Sequence, residues 1–542
     1  MVVPNTIEIP AQASSGADIF AATRIVSLVP GEGTDLTIAA AIAALPAAGG
    51  DIYVKGGIYP IAASLDFGTK VVRLRGAGTS VNFATGPVTL VPAANISLFK
   101  NGGDGCSVED MTFEGDNASS QVLYEGDAEI RFSRIDTHDI AGIIKGTGGN
   151  PEVTFRDSYI NIPAGVLIPV ADVYLWKGNG ANGTLIFDNV EMFVSGGGFT
   201  LMSGVTGGAN GPTFKVVNSY TGGGGGGGST NFYFAQVIDW VGFDIDNAQF
   251  EISAARNNVV NCNFLDFSIK FKGTWNFIAN SNFSQGGTGG LLFDAQVTFD
   301  ATAFAPVPMQ NTVTGCNFYG NGVSNKGISM FRADQTAITG CLFDSHTVEG
   351  VEISRTVNAQ VTGCTFTTTT GGGTRYIDIL AGGGFSGRIT VTGNTFDGSR
   401  TPAVRCAGFR CMFTGNVLLT VDDTGNINYY SNNTDLNNAG VTGASSHIDN
   451  EGVITVGVDV TLDDNYRTVP VDASGANRTI TLPTAASAKW RKYIIKKIDS
   501  SVNTVTIDAD GAETIDGALT FVLTVQYQAI EIQSDGTTWW II

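Results

Sequence analysis

Charge is scarce in this chain. Asp, Glu, Lys and Arg together make up 15 % of its 542 residues, and histidine occurs three times. What charge there is runs acidic, 50 Asp and Glu against 30 Lys and Arg, for a net charge of −20. Phosphate binding needs a basic stripe, so no nucleic-acid partner is expected. No apolar run approaches the ~20 residues that cross a bilayer, which leaves no candidate for membrane insertion. Met1 to Asn5 has neither the basic start nor the apolar stretch of a secretory signal, so synthesis without an export signal of the usual kind is expected. The seven cysteines are odd in number and form no CxxC pair, which speaks against a disulfide framework or a metal site. No metal and no cofactor is expected. Scarce charge also argues against disorder, although glycine supplies 71 residues.

What the chain does have is a repeat. The signature appears as Asn261-Cys262-Asn263-Phe264, Asn280-Ser281-Asn282-Phe283, Gly315-Cys316-Asn317-Phe318, Gly340-Cys341-Leu342-Phe343, Gly363-Cys364-Thr365-Phe366, Gly393-Asn394-Thr395-Phe396 and Gly415-Asn416-Val417-Leu418. Successive copies lie 19, 35, 25, 23, 30 and 22 residues apart, a period in the low twenties broken by insertions. Short β-type runs between Gly, Asn and Thr at that period indicate a solenoid of strands, since helical repeats would need apolar residues three and four apart. The expected fold is all-β, a right-handed parallel β-helix. Asp110-Met111-Thr112-Phe113, Asp157-Ser158-Tyr159-Ile160 and Asn189-Val190-Glu191-Met192 continue the signature upstream, for roughly a dozen coils. Asn or Gly suits a left-handed corner, the next residue points inward, and Phe fills the interior. The recurring cysteines are therefore expected as buried thiols in an internal ladder.

Before the coils, Asp35 to Pro46 reads as a short helix, with Asp35 as the cap, Ile38, Ile42 and Leu45 on one face and Pro46 as the stop. Gly49 to Tyr59 and Val71 to Gly78 follow as strand, turn, strand. In these residues the chain resembles the opening of the pectate-lyase-like β-helix superfamily, which includes bacteriophage tailspikes and shows the pattern "AI..LP..GG", "G.Y" and "L.G.G". Downstream, Arg478-Thr479-Ile480-Thr481-Leu482-Pro483, Thr504-Val505-Thr506-Ile507 and Ser534-Asp535-Gly536-Thr537-Thr538-Trp539 are similar to a small β-module at the ends of phage tail fibres and tailspikes. The expected organisation is a 1–22 arm for virion attachment, a β-helix over 23–430, a linker over 431–452, and a C-terminal antiparallel, sandwich-like β-domain over 453–542 for trimerisation or glycan binding. The glycine runs Gly222 to Gly228 and Gly371 to Gly373 read as loops, because no helix with a Lys-Ser or Lys-Thr pair follows to make a phosphate cradle.

Catalysis on a glycan would need two carboxylates. Alignment on the repeat stacks Glu352 over Asp378, facing outward at about the 4.8 Å spacing of neighbouring strands. Arg332 and Arg355 each lie nine residues before a repeat cysteine, and Arg405 continues the row if its coil slips by one residue. These residues suit an acidic or sulfated sugar, or form a solvated charge ladder. Asp344 and His346, with Glu349, make a second cluster. His138 lies in a similar acidic setting with Asp136 and Asp139. Asp239 and Asp244, with Asp246, flank Trp240, whose face could stack on a sugar, with Trp176 and Trp275 as further aromatics; core packing is the alternative for each. The NTD, DD, GHG and RIK series of polygalacturonase-like enzymes is absent in that order, as is the "R.P..R" pattern of pectate lyases. Lys489, Arg491, Lys492, Lys496 and Lys497, with Trp490 and Tyr493 between them, form one dense basic cluster, for an anionic glycan, for sister subunits, or as a guarded edge strand.

The resemblance implies a phage tailspike or tail-fibre protein in the virion tail. It would bind a host cell-surface polysaccharide, either as a depolymerase that also cleaves it or as a pure adhesin, act as a homotrimer, and meet other tail proteins through its N-terminal region. A non-enzymatic virion fibre or decoration protein and a free polysaccharide lyase or hydrolase stay open as alternatives.

Overall fold

The computed structural model describes residues 24–542, apart from 79–87, 117–118, 163–173, 178–182, 195–199, 204–211, 224–230, 236, 254, 286–294, 301–309, 321–325, 369–374, 381–385, 398–399, 401, 409, 418–420, 424–427, 432, 434–446, 450–452 and 464–465. The expected 1–22 arm, most of the glycine runs and most of the 431–452 linker lie outside the described residues. The chain forms two compact units, one of Met1–Glu352 with Thr367–Gly373 and one of Ile353–Phe366 with Thr374–Ile542.

In the first unit every coil adds a strand to each of three parallel ladders, the arrangement of a parallel β-helix. The first face runs in register from Gly49–Val54 to Ala337–Thr339. The second runs from Gly57–Ile61 to Leu342–Asp344. The third runs from Leu65–Asp66 to Lys326–Phe331. The second unit has parallel ladders of its own, one of them formed by Gln360–Thr362, Thr390–Thr392, Met412–Thr414 and Tyr429–Ser431 in succession.

A single residue turns the chain from the first face to the second. It is Asp110, Arg134, Asp157, Asn189, Asn218, Gly242, Asn261, Asn280, Gly315 or Gly340 in the first unit and Gly363, Gly393 or Gly415 in the second, always with φ between 45° and 64°. Asn, Asp and Gly tolerate this left-handed backbone best. Arg134 is the exception, and its guanidinium bonds the Asp110 carboxylate of the coil before at 2.7 and 3.0 Å. The next residue is buried on every one of these coils, from Met111 to Asn416. Two residues further on, the rings of Phe264, Phe283, Phe318 and Phe343 stack with centroids 4.7, 4.8 and 4.9 Å apart.

All seven cysteines are free and buried, among them Cys262, Cys316, Cys341 and Cys364 of the repeat. Cys262, Cys316 and Cys341 donate to carbonyls two residues back, at 3.3, 3.4 and 3.5 Å. Burial pushes the Cys262 thiol up to about 11, and a hydrogen bond with Cys341 followed by burial raises Cys316. Neutral thiols of this kind are poor nucleophiles. A second internal row was not foreseen. Asn257 donates to Asn276 at 2.6 Å, Asn276 to Asn311 at 2.7 Å, and Asn311 to Thr336 at 3.0 Å, all of them buried. Asn394, Asn416 and Asn433 repeat the device in the second unit.

The helix is Ile38–Ala44, with Ile38, Ala41 and Ile42 buried. Its cap is Thr37, whose hydroxyl accepts from Ala40 N at 3.1 Å, and not Asp35. Asp35 is taken by Arg24 at 2.5 and 2.7 Å, which holds its carboxyl below the usual carboxylate range. At the other end Lys70 donates to the carbonyls of Ile42, Ala43 and Leu45, neutralising the negative pole of the helix.

The last ninety residues form two four-stranded sheets, Val460–Thr461, Arg478–Thr481, Val505–Asp508 and Thr520–Leu523 in one and Thr468–Val471, Lys492–Lys497, Ala529–Ser534 and Trp539–Ile541 in the other. They enclose a core of their own that includes Val469, Leu482, Tyr493, Ile507 and Trp539. Here the expectation of antiparallel pairing needs correction: three ladders are parallel and three antiparallel. The early strands alternate between the sheets, so a neighbour is reached by a full crossover and runs parallel. Turn spacing alone reads the same for either case.

Candidate functional site

Side chains on the second face alternate inward and outward. Phe113, Thr137, Ile160, Met192, Thr221, Ile245 and Phe264 point into the core and are buried. The column before them is set by strand register as Thr112, Asp136, Tyr159, Glu191, Tyr220, Asp244, Asn263, Asn282 and Asn317; Thr112 and Asp136 are buried, and from Tyr159 onward the column reaches the surface. The column after them pairs Glu114 with His138, Asn161 with Phe193, and Asp246 with Leu265. Carboxylates and aromatic rings thus alternate along one surface of one unit. At about 4.8 Å per step, Asp136 to Glu191 is roughly 10 Å and Asp136 to Asp244 roughly 19 Å.

At one end of this surface His138 Nε2 lies 2.9 Å from Asp136 Oδ1, and both side chains are largely buried. The hydrogen bond to Asp136 is the main reason the imidazole pKa is raised, with Glu114 and Asp139 adding to it. Glu114 is also raised, chiefly because burial disfavours its charge. His138 sits 5.8 Å from the Tyr159 ring, and Phe193 sits 6.2 Å from Tyr220. Burial, followed by the neighbouring acids, raises the phenols of Tyr159 and Tyr220. At the other end a chain of amides runs Asn317 to Asn282 to Asn263 to Asp244, each bond 2.7 Å, so Asp244 accepts at the end of a polarised row. The surface therefore offers ring faces, hydrogen-bond acceptors and a protonatable pair, all in register.

Of the residues expected at a site, Asp244 belongs to this surface. Asp344 lies in the column of Leu265, Ser284 and Tyr319 on the same face, and accepts from Ser345 and Thr367 at 2.9 Å each. Asp239 lies on the first face, where it accepts from Asn258 at 2.9 Å. Trp240 as a sugar platform is corrected: it is 0 % exposed, packed among Phe214, Phe243 and Phe250. Trp176 is buried as well. Trp275 is exposed at a first-face corner under Arg256. His346 is 2 % exposed, against the Phe318 carbonyl at 3.3 Å, where no dissolved substrate reaches it, so its catalytic assignment is corrected too.

Glu352 and Asp378 fall in different units, and each is held by its own partners. Glu352 takes Lys326 at 3.0 Å and Ser329 at 3.2 Å. Asp378 was expected to face solvent but is 2 % exposed, gripped by both arms of Arg405 and by Arg375 at 3.1 Å. A carboxylate so enclosed serves a buried ion pair, which is neither the catalytic acid nor the solvated ladder. Arg405 stands directly beside Asp378 in strand register, without the slip. Arg332 and Arg355 each follow the end of a strand with left-handed backbone, φ 55° and 51°.

Sequence reasoning singled out His138, Asp136 and Asp244 separately and missed Tyr159, Glu191, Phe193 and Tyr220 between them. The missing link was the register, which depends on corners such as Arg134, Asn218 and Gly242 that lack the Cys and Phe of the signature. Among the described residues no three His, Cys, Asp or Glu side chains are placed to hold a metal ion.

No family model matches the chain. No curated protein matches it either. Among solved structures, it is similar to a pectin methylesterase from carrot, at 11 % identity over 57 % of this chain and 88 % of that one, with a TM-score of 0.31. The receptor-binding domain of the siphovirus 9NA tailspike aligns at 12 % identity over 79 % and 77 % of the two chains, with a TM-score of 0.29. Tailspike protein 3 of bacteriophage CBA120 aligns at 12 % identity over 80 % and 61 %, also at 0.29.

Proposed function

We propose that this protein is a tailspike-type receptor-binding protein whose second face, from Asp136 to Asp244, lies along a host cell-surface polysaccharide. The observation that carries the reading is the alternation of acid and ring in one column, with Tyr159, Glu191, Tyr220 and Asp244 at the surface and Asp136 buried at its end. A sugar chain presents apolar ring faces and rows of hydroxyl donors, and this column offers a stacking surface and an acceptor for each. The virion setting rests on the resemblance of Asp35 to Gly78 and of the C-terminal strands to phage tail proteins. A homotrimer and tail partners held by the 1–22 arm belong to the same proposal.

Hydrolysis is a second reading, favoured by the His138–Asp136 pair. Protonated His138 would give its proton to the glycosidic oxygen as the bond to the anomeric carbon breaks. Glu191 would take a proton from water as the water oxygen bonds that carbon. His138 and Glu191 lie two coils apart, and a gap that admits the water corresponds to inversion.

Purified protein is incubated with capsule and lipopolysaccharide from candidate hosts, with binding and new reducing ends both measured. Tyr220→Ala should weaken binding at least tenfold. Glu191→Gln should abolish any cleavage while binding persists, and Glu352→Gln and Asp378→Asn should leave both intact. Binding that survives Tyr220→Ala and Tyr159→Ala together would sink the proposal, and absence of binding to any host would favour a structural fibre.

A further inference from the structure

The C-terminal module carries a surface that the second-face site does not use. Strand register sets Lys492, Gln533 and Trp540 side by side across its second sheet, on the face away from the module core. Two more aromatics flank that face, and both are held in left-handed backbone, Trp490 at φ 70° and Tyr527 at φ 65°. Their exposures are 67 % and 63 %, and Trp540 is 49 % exposed. A bulky residue in this conformation is strained, and the surroundings fix it in place. Trp490 N donates to Ser534 O at 2.9 Å, and Gln533 Nε2 donates back to Trp490 O at 3.1 Å. Tyr527 N donates to Lys497 O at 2.7 Å. Trp540 is aimed by its own indole N–H, which donates to Asp535 at 2.8 Å.

Each left-handed aromatic has a lysine ammonium over one face of its ring. Lys489 Nζ lies 5.2 Å from the Trp490 centroid and Lys496 Nζ 5.3 Å from that of Tyr527. An exposed ring with a cation over one face leaves the other face open, and core packing does not explain it; nor does edge protection, because Lys492–Lys497 is an inner strand of its sheet. Such a ring is suited to a ring-shaped ligand that carries negative charge. Lys489, Lys492 and Lys496 gather on and beside this face in a chain whose net charge is −20, with Lys492 Nζ 3.4 Å from Glu531. A second copy of the chain docked symmetrically here would bring these lysines together.

We propose that this face is a second glycan-binding site, specific for an acidic polysaccharide whose sugar rings stack on Trp490, Trp540 and Tyr527 while Lys492 and Lys496 meet its carboxylates or sulfates. Lys492 to Lys496 spans about 14 Å of strand, and with the flanking aromatics the face accommodates roughly three or four sugar units.

The test is affinity electrophoresis of the full chain through native gels that contain polygalacturonate, alginate or, as neutral control, dextran, with sedimentation velocity on the same samples. Retardation is expected in the acidic gels, lessened by salt and absent in dextran. The double variant W490A/W540A and the charge reversal K492E/K496E should each weaken it at least tenfold, with unchanged sedimentation and unchanged melting temperature. Tyr220→Ala should leave it intact, which separates this site from the second-face column. Retardation in neither acidic gel, equal retardation of the variants, or loss by Tyr220→Ala alone would overturn the proposal. So would equal retardation in dextran, or a sedimentation change in the variants that marks the face as a contact between copies.

Discussion

Gly363 stands at a corner with φ 61°, and a Cβ built there would meet nothing within 4 Å. Gly363→Ala should therefore lose about 1–2 kcal/mol for backbone reasons alone. Gly363→Asn should lose less, because Asn261 and Asn280 occupy the same corner, and urea midpoints for the two variants check the order. His138 gives a second prediction at this scale. Its folded pKa is raised by Asp136, so the stabilisation is fully present below the unfolded value of about 6.5 and fades as pH rises through the folded value. Glu114 acts in the same direction, its contribution complete below about 4.3 and lost as pH rises past its raised pKa. Melting temperatures of wild type and His138→Gln should differ at pH 5.5 and converge toward pH 9. The corner was readable in sequence because one backbone conformation admits few residue types. The helix cap was not, because Asp35 and Thr37 are both good caps and only the ion pair with Arg24 decides between them.

At the scale of a coil, the inner amide row and the outer one make opposite demands. Asn276→Ala removes both a donor and an acceptor from a dry stack, leaving Asn257 and Asn311 each short of a partner. A loss of about 2–3 kcal/mol is expected. Asn282→Ala breaks a similar chain on the outside, where water replaces the bonds, and should lose about 0.5 kcal/mol; denaturant unfolding of the pair measures the contrast. Phe318→Ala should lose about 3–5 kcal/mol from the ring stack. The stack was legible because Phe recurs at a fixed distance from the corner. The second-face site was not, since coils of unequal length separate Asp136, Tyr159, Glu191, Tyr220 and Asp244 irregularly in sequence, and only the hydrogen-bonded ladder aligns them.

For the whole molecule, the parallel solenoid followed from the repeat, while the mixed pairing of the last ninety residues did not. The module has a core separate from the coils, with Ile507 fully buried in it. Calorimetry should show more than one heat-absorption peak, and Ile507→Ala, at about 2–5 kcal/mol, should move one of them and leave the other in place. A single peak that shifts as a whole would show the parts unfold together.

The one-residue corner also fixes how such a gene can change length. Cys262 and Ser281 occupy equivalent places 19 residues apart, with Asn263 over Asn282 and Phe264 over Phe283. An in-frame deletion of 261–279 would join Val260 to Asn280 and set Ser281, Asn282 and Phe283 where Cys262, Asn263 and Phe264 had been. Every column would close up by one step with its face unchanged. A deletion shorter by a single codon would turn the following strand inside out. Solenoids of this kind can therefore be lengthened or shortened in whole-coil increments, and natural variants are expected to differ by complete turns on this side and by arbitrary insertions at the other two corners.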